Sequence, residues 1–195
     1  MVSLALAQRG PGAQPVWTHT GPGGAQASAE LLPALDQLMA QAGWAYAELD
    51  AIVLGRGPGA FTGLRTACAV AQGLALGADV PVLPVDTLLA VAESARHQHA
   101  PDLQAWRVMA VLDARMDEVY AASYAYADGQ WQALQPVVLT APQDLERPDD
   151  AAALHALVHA WEESTPPHAA ARVRRFVSGN EDDEGGEVFV FGAES

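Results

Sequence analysis

Residues 55–65, GRGPGAFTGLR, follow the apolar run LDAIVL and lead into the alanine-rich stretch TACAVAQGLALGAD. A strand, a glycine turn and a helix in that order can cradle a phosphate, because the unpaired amides at a helix start attract anions. The detailed patterns fall short of that chemistry. A Walker-type loop needs a lysine directly after its second glycine, and the 195-residue chain contains no lysine. A G-x-G-x-x-G pattern can begin at Gly57 and Gly59, but its third glycine falls one residue late, at Gly63. No acidic residue follows the second strand where a ribose would want one. The remaining use of Gly57, Pro58 and Gly59 is structural, as a tight turn that starts a helix.

Other residues that can do chemistry are scattered. Asp113, Asp117 and Glu118 gather around Arg115 in LDARMDEVY, where a metal would take oxygen ligands. Acids beside an arginine between two strands also describe a salt-bridged corner, and that is the reading we adopt. His155 and His159 stand four apart on an expected helix, yet no glutamate follows His155 to complete a zinc-protease motif. The single cysteine, Cys68, lies within an apolar helix and reads as a small core residue. No catalytic residue and no metal ligand is assigned.

These residues must be placed by an α/β framework. Strands are predicted at 2–8 and 14–20, paired as a hairpin, and at 51–54 and 80–86. Helices are predicted over 28–42, from the glycine turn to about Gly77, and over 87–99. The first carries Leu31, Leu35, Leu38, Met39 and Ala42 on one stripe, with Pro33 expected to delay or kink it. After a linker, APDLQAW, the runs 107–113, 118–127 and 130–139 predict three strands of a β-meander. Residues 141–163 read as partly helical, and EVFVF near the end as a final strand. The organisation expected is a first α/β lobe over 1–100 and a second lobe over 105–195 that opens with the meander and ends in an acidic tail.

The second helix carries a row of small residues four apart, Gly63, Ala67, Ala71 and Ala75, flanked by Leu64, Cys68 and Val70. Such rows let another backbone approach closely. Two readings stand side by side: packing on the chain's own sheet, or contact with a helix of another chain.

Half of the residues are apolar, and 24 acids against ten arginines give a formal net charge of −14. That surface repels phosphate backbones, so tRNA or any other nucleic acid is expected to be reached only through a partner. MVSLALAQRG lacks a basic leader, and no apolar run approaches ~20 residues, so a soluble cytoplasmic protein without membrane contact is expected.

LGRGPGAFTGLR, then AQGLALGADVPVLPVDTL, then VLDARMDEVYAASY together resemble the TsaB family, over about residues 2–140. These are dimerisation subunits of the bacterial complex that makes threonylcarbamoyladenosine in tRNA. The resemblance implies an α/β two-lobed fold of the actin, sugar-kinase and Hsp70 type, and a degenerate relative of the catalytic subunit TsaD. It implies a non-catalytic subunit that supports a TsaD-like transferase, with a small TsaE-like ATPase joining them. A homodimer when the partner is absent is a further expectation. ATP and metal would sit on the partner subunits, and this chain would hold no cofactor of its own. The interface would lie on Leu31, Leu35 and Leu38 of the first helix and on Gly63, Leu64, Ala67, Ala71 and Leu74 of the second. Alternatives are an ATP-dependent phosphotransferase of the same fold, or a peptidase, a label such families have attracted. In the family a strand ending in Asp-Thr comes before the one at 2–8, and this sequence opens without it. Past about residue 150 it also leaves the family pattern, so part of the second lobe is expected to be missing.

Overall fold

The computed structural model describes residues 2–8, 10, 15–22, 27–99, 101–145, 156–161 and 188–192. It divides into two compact units, residues 1–85 and 86–194.

In the first unit, β1 (Val2–Ala7) and β2 (Val16–Gly21) form an antiparallel pair with Val2 opposite Gly21 and Ala7 opposite Val16. Helix α1 (Ala27–Ala42) packs on this pair, with Pro33 exposed inside it. Its predicted stripe is the buried face: Leu31, Ala34, Leu38 and Met39 are buried, and Leu35 and Ala42 half-buried. The 3.6-residue repeat turns these positions to one side, and their apolar area is what holds the helix down. Beyond α1, Tyr46 donates to Asp36 Oδ1 at 2.7 Å. Burial, then the hydrogen bond to Asp36 and its charge, pushes the Tyr46 hydroxyl up to about 12.

Strand β3 (Ile52–Gly55) runs parallel to β4 (Val82–Val85), with Val53 opposite Leu83. The crossover between them is helix α2 (Phe61–Ala78), which ends where Asp79 takes a left-handed conformation. Among the described residues β1 pairs only with β2, and β3 only with β4.

The second unit begins with α3 (Thr87–His99). Its sheet runs β10 (Val188–Gly192), β9 (Ala156–Trp161), β5 (Ala105–Arg115), β6 (Glu118–Ala127) and β7 (Gln130–Ala133), with β8 (Val138–Thr140) also on β6. The β5–β6 and β6–β7 pairs are antiparallel, whereas β9 joins β5 and β10 in parallel. Alternate residues of β5, namely Trp106, Val108, Ala110 and Leu112, meet Leu88, Ala92 and Ala95 of α3 in one buried cluster. Met109 and Val111, between them in sequence, are buried too, so the strand is closed on both faces. Helix α3 therefore belongs with the second unit and not with the lobe over 1–100 in which its sequence position places it.

Two further expectations need correction. The run 130–139 is two strands, because Pro136 has no amide for a ladder and the chain bends around Leu134–Gln135. Leu134 N–H is instead satisfied by Ser123 O at 2.8 Å. Residues 156–161 are a strand, so His159 lies opposite Val111 in a parallel ladder and not one turn along a helix from His155, which lies outside the described residues. The final strand is present at 188–192.

An aromatic cluster fastens α3 to the sheet. Trp131 stands edge-on to Trp106 and Tyr124 and tilted over Tyr126, with centroids 5.2–6.3 Å apart. Its indole N–H donates to Glu93 Oε2 at 2.9 Å, while Arg96 donates from two nitrogens to both Glu93 oxygens at 2.8 Å. The Arg96 guanidinium also lies 4.2 Å over the Tyr126 ring. Arg96→Ala removes the ion pair and the ring contact together, and we expect thermal unfolding to show a loss of about 1 kcal/mol. The Glu93 carboxyl is held below its ordinary 4.5, first by the Arg96 hydrogen bonds and then by that of Trp131, against the opposing effect of burial. A depressed folded pKa gives stability that is present above the unfolded value and lost as pH falls through the folded one. The stability gap between the parent and Glu93→Gln should therefore be full above about pH 5 and close under more acid conditions.

Candidate partner-binding surface

The glycine turn is built around a side chain. Gly57 is buried with φ at +100°, and a Cβ there would stand 3.1 Å from Leu64 Cδ1. A Cβ on Gly59 would meet the same leucine at 3.9 Å. Leu64, one turn into α2, thus occupies the space that the glycines leave open. The Gly57–Pro58 bond is cis. Ala60 offers no side-chain cap, and the first helical bond runs from Leu64 N–H to Ala60 O at 2.9 Å. The nearest cation on the helix, Arg65, lies 3.6 Å over the Phe61 ring. The turn has the order of a phosphate loop and the packing of a helix start. Gly57→Ala should cost about 1–3 kcal/mol, because that φ is closed to a side chain. Gly59→Ala, where φ is not positive and contact is ordinary, should cost less than about 1 kcal/mol by the same unfolding measurement.

Helix α2 shows two faces. Ala71 and Ala75 are buried, and Leu64, Ala67, Cys68, Leu74 and Ala78 are half-buried. These positions follow one stripe, and α2 packs on β3 and β4. At Ala71 and Ala75 the small-residue row therefore meets its own unit, while Gly63 at its start is exposed. On α1, Leu31 and Leu38 are likewise buried.

The outward face of α2 is unusual for what it lacks. Ala69, Gly73 and Gly77, four apart, are all exposed, and a Cβ on either glycine would meet nothing within 4 Å among the described residues. Leu76 beside them is 86% exposed, and Phe61 and Arg65 lie on the same helix, also exposed. Each glycine inside a helix costs about 1 kcal/mol relative to alanine, and packing among the described residues does not require either one. Reading the row from 63 to 75 misses this second row. The signal was present in its composition: it is the row with two glycines.

At the hairpin, Asp113 is buried and its Oδ1 accepts from the Arg115 amide at 3.2 Å. Arg115, Met116 and Asp117 all have positive φ, between 53° and 64°, as the tight return from β5 to β6 demands. Asp113 thus serves the corner. Among the described residues, no three of His, Cys, Asp or Glu gather where they could hold a metal. No described helix is long and apolar enough to cross a membrane.

Residues 19–167 match the family model of TsaD, tRNA N6-adenosine threonylcarbamoyltransferase. The tRNA threonylcarbamoyladenosine biosynthesis protein TsaB of Haemophilus influenzae is 48% identical over 90 residues, which are 46% of this chain and 36% of that protein. Its Escherichia coli namesake is 38% identical over 114 residues, 58% of this chain and 48% of that protein. The match thus spans less than half the length of these two relatives. Among solved structures, YeaZ from Pseudomonas aeruginosa superposes with a TM-score of 0.66 at 35% identity, covering 81% of this chain and 70% of that one. A second, described as similar to peptidase YEAZ from the same organism, gives 0.72 at 32% identity over 98% and 82%. The α/β architecture of these relatives is the one expected from the ordered motifs, and on this match the chain belongs to the TsaD family, within its TsaB-like branch.

Proposed function

We propose that this chain is a non-catalytic subunit that binds a TsaD-like threonylcarbamoyltransferase and supports it in forming N6-threonylcarbamoyladenosine beside the tRNA anticodon. The observation that carries this reading is the outward row Ala69, Gly73 and Gly77 with the bare Leu76. A second helix laid against that row would approach closely and cover the leucine, which gives the two glycines a physical purpose. Leu64 and Gly63 border the same helix start, whereas Leu31, Leu38 and Ala71 act from beneath, by holding the two helices in place. A TsaE-like ATPase and a homodimer in the partner's absence belong to the same proposal, as does a cytoplasmic location. ATP and metal are assigned to the partner subunits.

The phosphotransferase alternative is disfavoured by Leu64, which takes up the room inside the glycine turn, and by the absence of lysine from the sequence. The peptidase alternative has no nucleophile, base and orienting group to support it among the side chains described above. Calorimetry separates these readings. The isolated chain titrated with ATP and magnesium should give no saturable heat, while the TsaD-like subunit should bind it stoichiometrically. A micromolar ATP site on the free chain, or a tRNA gel shift that survives physiological salt without partners, would overturn the proposal.

A further inference from the structure

We draw no further inference here: the strongest candidate, the bare apolar face of the β3–β4 pair where Val53 and Leu83 stand side by side at 61% and 54% exposure, carries nothing because nothing in the structure shows what covers it.

Discussion

Leu88→Ala should be the most damaging conservative substitution in the second unit, lowering its stability by about 2–5 kcal/mol. Leu88 is fully buried where α3 meets β5, among Val108, Ala110 and Leu112. Its helical neighbours on that face are Ala92 and Ala95, which are too short to swing into the vacated space. A rigid sheet below and alanines beside it leave the cavity open, which places the cost toward the upper end. Thermal unfolding followed by tryptophan fluorescence reads this directly, because Trp106 and Trp131 lie in or against the same cluster. The control is Leu139→Ala, on a residue 52% exposed, which should stay within about 0.5 kcal/mol of the parent. Equal melting of the two variants would show that α3 does not dock on β5, and would return the unit boundary to the 100–105 region.

That boundary shows where sequence reading stops. Helix α3 was legible as a helix from its repeat, but its partner was not, since an apolar stripe says only that something must cover it. The APDLQAW segment has the look of a linker, yet Ala105 and Trp106 begin the central strand, and Trp106 is buried against α3. Stripe and strand assignments were reliable where one local rule operated alone, as at Leu31, Leu38 and Met39 on α1 or in the β3–α2–β4 crossover. They failed where long-range pairing overrode local preference. Residues 156–161, ALVHAW, read as helix by composition and become strand because β5 and β10 flank them in parallel.

The candidate surface was half legible for a related reason. Helix α2 carries small residues on two rows, 63-67-71-75 and 69-73-77, and periodicity alone cannot tell which row meets the sheet. The distinction comes from what surrounds each position. Ala71 and Ala75 are buried and alanine suffices there, whereas a Cβ at Gly73 or Gly77 would meet nothing among the described residues and glycine is costly. The glycine turn yields to the same test, because a Cβ added at Gly57 or Gly59 would first meet Leu64, the packing of a helix start.

Gly73→Trp and Ala71→Trp, two residues apart on one helix, should therefore have opposite consequences. At Gly73 an added Cβ meets nothing within 4 Å among the described residues, and tryptophan is a better helix residue than glycine, so melting should hold or rise slightly. If a partner helix lies against the row, the indole stands at the closest approach. Overpacking such a contact costs about 1–3 kcal/mol, which weakens association with the TsaD-like subunit roughly ten- to a hundredfold. At Ala71, buried to 5% exposure, the same indole must force α2 away from β3 and β4, so the loss should appear as lowered melting of the isolated chain. Gly73→Ala grades the effect: a small gain in stability from helix propensity, with a smaller loss of affinity, is the pattern that a close helix contact requires. Calorimetric titration with the purified TsaD-like subunit, beside thermal unfolding of each variant alone, separates the two responses. Undiminished binding by a normally melting Gly73→Trp would remove the outward face of α2 from the interface, because no close contact can accept an indole where a hydrogen atom stood.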